Sequence, residues 1–320
     1  MKMVLIIAVI LLVVGALLVG AGWVFLQKNP IEKNVVKDSV YRFTMNEVPQ
    51  QINITTFDSR VEIRSIEGDE WRVECMDTEN LYHTVELKDS VLTVKQIGTM
   101  RKWYEYIGIL NGGFQNPSVI VYLPAQVYES LNIHSASGSI KVQEGFVFSN
   151  ASLQNVSGSI TCVSRVAGAL NVKNTSGSIT VSGSVGGDLI VKNTSGSIYI
   201  IGNVKGHLDV TNGSGSIEIK DAKPARATIK NTSGGIDLID VVCQETCEIT
   251  STSGSIELEG CDAASFDLKT TSGGIRASVL TTKTFDCHST SGVVHVPKDG
   301  NGGMFRAKTV SGGIRVTVVE

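Results

Sequence analysis

A Ser-Gly dipeptide returns every 19 or 20 residues through the second half of this chain. Its glycines are Gly138, Gly158, Gly177, Gly196, Gly215, Gly234, Gly254, Gly273, Gly292 and Gly312. Self-similarity at such a period means a solenoid, because one unit of that length cannot bury its own apolar face and needs stacked neighbours to do so.

Aligned on the glycine, four columns are apolar throughout. They lie seven and five residues before it (Leu131 and Ile133 in the first copy) and two and four residues after it (Ile140 and Val142). Period-two alternation marks strands with one buried face. The buried parity is odd before the glycine and even after it, so the chain turns at Ser-Gly. Glycine suits that corner because it reaches backbone angles that a Cβ forbids. With 33 glycines and 6 prolines, the pattern excludes a helical solenoid and predicts an all-β, single-chain parallel β-solenoid of about ten coils. At about 4.8 Å per coil the repeats give a rod roughly 50 Å long, right-handed by the crossover preference.

Three residues before the glycine stand Ser135, Asn155, Asn174, Asn193, Asn212, Asn231, Ser251, Thr270, Ser289 and Thr309. Parity turns them inward. Stacked amides are expected to hydrogen-bond along the axis. The five Asn-x-Ser sequons that these asparagines begin therefore read as an internal ladder and not as glycan sites.

The amino end predicts a membrane anchor. Met3–Leu26 carries no charge and is long enough for a helix to span about 30 Å of hydrocarbon. Val19-Gly20-Ala21 offers a cleavage site if the segment is instead a signal peptide. With only Met1 and Lys2 before the span, the solenoid is expected outside, although Lys28, Lys33 and Lys37 oppose that orientation. The organisation read from sequence is an anchor over 1–26, a polar tether over 27–40, β-rich capping rungs over 41–130 and the Ser-Gly solenoid over 131–320. Strands are expected at Gln51–Thr55, Ser59–Ile66, Trp71–Glu74, Val91–Gln96 and Ser118–Leu123. Between them Trp103 and Tyr104 lie on an aromatic loop that either plugs the open end or binds a glycan or partner. The last coil runs out at Val319-Glu320 without a cap, leaving an edge that could pair with another molecule.

The net charge of −3 gives no basis for nucleic-acid binding. No metal, cofactor or catalytic set emerges: Asp237, Asp240 and Asp262 are isolated, and His83, His134, His207, His288 and His295 are scattered. A disulfide between Cys243 and Cys261 is one option for two cysteines in adjacent coils. One exposed column, four residues before the glycine, carries several lysines. Asp209, Glu248, Asp267 and Asp286 offset part of it, as on most solvated sheet faces. Lys173 and Lys192 lack such acids and are the candidates for binding an anionic wall polymer or glycan.

The apolar span, the strands ending in Val-Tyr-Leu-Pro (Val121–Pro124) and the repeated Ser-Gly-Ser-Ile rungs resemble the putative-adhesin family of bacterial β-strand-repeat proteins over about residues 41–320. The resemblance implies a solenoid on the outer side of a bacterial cytoplasmic membrane, with no catalytic residues to carry over. It implies adhesion or envelope binding, with an accessory role in envelope-stress signalling as an alternative. Bactofilins, whose β-helical rods polymerise, are a more distant likeness.

Overall fold

The computed structural model describes residues 37–78, 81–98 and 117–319. Within them the chain is all-β and mostly parallel, and the ten Ser-Gly corners bound about nine turns of a solenoid. Each rung gives one strand to each of two sheets. In the Gly177 rung, Leu170–Ser176 joins one sheet (the lysine sheet below) and Ile179–Val181 joins the other. Identical columns meet in register, as in Leu170↔Leu189, Val172↔Val191 and Ile179↔Ile198.

The four apolar columns point inward and are almost wholly buried. A third line of contact closes the coil, within the stretch whose periodicity is weakest. Val166, Val185 and Val204 form parallel bridges there, and Ala222, Val241, Cys261 and Val279 continue the buried column.

The corners explain the fixed beat. Gly215 has φ +113°, and a Cβ on it would stand 2.6 Å from the carbonyl oxygen of Gly196. Both the backbone angle and the closeness of the rung beneath exclude a side chain. The inward column serves these corners, but not as an amide-on-amide ladder. Asn193 Nδ2 donates to Gly177 O at 3.0 Å and to Gly196 O at 3.1 Å, and so ties the corner below to its own. Asn155, Asn174, Asn212 and Asn231 repeat the bond to the glycine below. Thr270 and Thr309 do the same with hydroxyls. A turned-in glycine carbonyl has a greater need of a donor than a neighbouring amide has, because a buried carbonyl without one costs about 1–3 kcal/mol.

The stack does not follow chain order at its ends. Met304–Ser311 pairs with the Gly273 rung on one side and with Thr284–Ser291 on the other, giving the order Gly273, Gly312, Gly292. Phe305 lies between Phe266 and Phe285, at centroid distances of 5.2 and 5.7 Å. This corrects the expected open edge. The chain's last strands are paired on both sides, and the edge belongs to the Gly292 rung, where Phe285, Cys287 and Val294 are only partly buried. Lys283 secures the step that skips a level. Its buried ammonium meets Asp262 Oδ1 at 2.7 Å and Ala263 O at 2.6 Å.

The other end mirrors this. Gln51–Asp58 and Arg60–Ser65 stack directly on the Gly138 rung, while Val91–Gly98 and Ser118–Leu123 stack beyond them. Antiparallel strands then cover this end: Leu81–Lys88 on one sheet, and Glu70–Asp77 followed by Lys37–Thr44 on the other. Neither Leu81–Lys88 nor Lys37–Thr44 was expected, and the latter takes residues 37–40 out of the tether. Phe43 stacks on the buried Trp71 at 4.1 Å. All six cysteines are free. Cys243 stands in register with Ala263 and Cys261 with Val279, so the two thiols fall two positions out of step.

Two substitutions test the corner. Gly215→Ala should cost about 2–4 kcal/mol from strain and clash. Gly235→Ala, where the nearest atom to a new Cβ is 3.9 Å away, should be close to neutral. Asn193→Ala should cost about 1–3 kcal/mol by leaving two corner carbonyls without its amide. Denaturant titration of the full chain measures all three.

Candidate functional site

The outer positions of the lysine sheet are free of packing duty, and their alternation places every fourth residue before a glycine in one exposed line. Lys173 and Lys192 face each other across adjacent strands in register. They lie in a groove of about 430 Å³ with His134, Gln154 and Thr211 along the same line. The floor is formed by Asn155, Asn174 and Asn193, whose amides are committed to the corners beneath. Neither lysine has an ion-pair partner among the described residues. Lys269, further along, is held by Asp267 at 2.7 Å. Like charges directly opposite on neighbouring strands destabilise a sheet, so Lys173 and Lys192 are held against mutual repulsion. Trp103 and Tyr104 lie outside the described residues, as does Met3–Leu26. Among the described residues no helix is long and apolar enough to cross a membrane.

The fold also assembles a constellation that no sequence spacing groups. Ser59 Oγ lies 3.0 Å from His83 Nε2, and His83 Nδ1 lies 2.6 Å from Asp77 Oδ1. The order matches a hydrolytic triad. Burial separates it from one: Ser59 is 0 % and His83 2 % exposed, so a substrate has no approach to the hydroxyl. Asp77 also accepts the His83 backbone N–H, and the set ties the capping strand Leu81–Lys88 to the first corner. No spacing rule joins residues 59, 77 and 83, because strand pairing alone brings them together.

His288 and His295, near in sequence, occupy different sheets. His288 sits 2.8 Å from Asp286, and Asp262 is not isolated but paired with Lys283. The described residues hold no cluster of three or more His, Cys, Asp or Glu side chains fit for a metal.

The Toastrack DUF4097 family model matches residues 49–241 and 225–320, which is nearly all of the solenoid and its caps. The chain belongs to the Toastrack DUF4097 family. The chain is also similar, at low identity, to solved structures. A "putative adhesin" from Parabacteroides merdae is 15 % identical, with 89 % of this chain and 97 % of that one covered and a TM-score of 0.39. A "putative adhesin" from Bacteroides fragilis is 9 % identical, with 88 % and 97 % covered and a TM-score of 0.38. A "putative lipid binding protein" from Parabacteroides distasonis is 14 % identical, with 90 % and 98 % covered and a TM-score of 0.37. No curated protein matches the sequence.

The His83 network predicts acid sensitivity for this Toastrack fold. Burial lowers the His83 pKa below its ordinary 6.5, and the bond and charge of Asp77 only partly oppose it. Below about pH 6.5 the unfolded imidazole takes up a proton that the folded one resists, so stability falls as pH drops from there toward the lower folded value. Melting temperatures of the full chain from pH 7.5 to pH 5 should decline more steeply for the natural protein than for H83Q.

Proposed function

We propose that this Toastrack protein is a non-enzymatic solenoid of the bacterial envelope. In this reading Met3–Leu26 anchors it in the cytoplasmic membrane, and the solenoid stands on the outer side. The Lys173–Lys192 groove then binds an anionic wall polymer or glycan. One observation carries the reading: two unpaired lysines stand in register, about 4.8 Å apart by strand spacing, in a groove that also offers an amide and a hydroxyl. A chain of repeating negative charges fits such a line better than a single small ion does, because the column continues with Lys230 one rung beyond Thr211.

The test is co-sedimentation of the full chain, in neutral detergent micelles, with purified cell-wall sacculi carrying their anionic polymer. Removing two unscreened positive contacts in K173A/K192A should weaken binding about tenfold, with the difference shrinking as salt rises. Equal binding by the variant, or none by the natural protein, would refute the assignment.

A further inference from the structure

The second sheet carries a different outer column. Three residues after the last six glycines of the stack it runs Glu218, Asp237, Glu257, Arg276, Arg315 and His295 in stack order. Acids occupy the first three of these positions, and two arginines with a histidine occupy the last three. The join is satisfied, since Arg276 Nη1 lies 2.9 Å from Glu257 Oε1. On the acidic side burial, followed by Glu257 and Glu218, pushes the Asp237 carboxyl above its ordinary range. On the basic side Arg315 and His295 are exposed and have no ion-pair or hydrogen-bond partner among the described residues.

The two arginines are neighbours only because the last rung intercalates. Ser-Gly-Gly-Ile-Arg occurs at 272–276 and again at 311–315, and the order Gly273, Gly312, Gly292 makes the two copies neighbours. Winding in chain order would have put His295 between the arginines. Gly274 and Gly313 stand where most rungs have serine, and they leave the corner beside the arginines open. The result is a groove of about 460 Å³ bordered by Arg276, Arg315, His295 and Glu257. Cations stacked across neighbouring strands repel one another, and the arrangement lowers stability unless an anion shares it.

The geometry points to a phosphoryl-binding site formed by Arg276, Arg315 and His295. Two guanidinium forks carried on neighbouring strands, about 4.8 Å apart at the backbone, match the several oxygens of a tetrahedral phosphate better than the two of a carboxylate. Arg276 keeps one edge for Glu257, and Arg315 is left with its whole fork to offer. The site lies on the other sheet from the lysine groove and does not depend on it.

Thermal melting of the full chain in neutral detergent micelles tests this, with inorganic phosphate as the first probe against chloride at equal ionic strength. Phosphatidic acid dissolved in the same micelles is the second probe. The natural protein should melt about 2 °C or more higher with a probe that binds. R315A should lose most of that rise, while K173A/K192A should keep it. Without either probe R315A should melt no lower than the natural protein, because it relieves repulsion and leaves the core intact. A rise that depends on Arg315 with inorganic phosphate assigns a free phosphate, and one seen only with phosphatidic acid assigns a lipid headgroup. No rise with either probe, or the same rise in R315A, overturns the site.

Discussion

The contact on which the rest of the molecule depends is the one between successive Ser-Gly corners. Each glycine lies so close above the one beneath it that no Cβ fits. Most carbonyls so brought inward are met by an amide or hydroxyl from the next rung; at Gly234 the donor is Asn231 of the same rung, and Ser251 above makes no such bond. This fixes the vertical register, and the register in turn lines up the aliphatic columns that supply the hydrophobic stabilisation. Where the next rung is missing, the consequence is visible. Past Gly292 no described strand stacks, and Phe285, Cys287 and Val294 remain partly open.

Both ends place a rung out of chain order, and the physical benefit is similar. Strands at a terminus fray because they are held on one side only. Here Met304–Ser311 and Ile314–Val318 are gripped from both sides. The cost is a connection that skips a level, and the buried Lys283–Asp262 pair secures it.

Much of this was legible in the sequence, for a local reason. The columns from Leu131, Ile133, Ile140 and Val142 repeat within each unit, and burial follows directly from their parity. The inward asparagines were legible for the same reason, though their partner was not: parity tells which way Asn193 points and not that Gly177 O awaits it. Rung order was not legible, because all rungs present the same columns and any one fits on any other. The adjacency of Arg276 and Arg315 was hidden for that reason, since it arises only through intercalation. The Ser59–His83–Asp77 set was hidden because the capping strands have no period. Lys173 and Lys192, by contrast, sit in consecutive repeats, and sequence sufficed to pair them. In each case the inner columns do the folding, which leaves the outer positions of both sheets free to carry charge.

Paramagnetic broadening measures the order of the final rungs directly. Nitroxide amino acids are placed on the lysine sheet of the full chain at positions 269 and 308, and in a second sample at 269 and 288. In the intercalated stack the first pair is one strand apart, about 4.8 Å between backbones, and the second pair about twice that, so the 269/308 spectrum should be the broader. A broader spectrum for 269/288 would mean that the rungs wind in chain order, and would contradict both the stack described here and the paired arginines built on it.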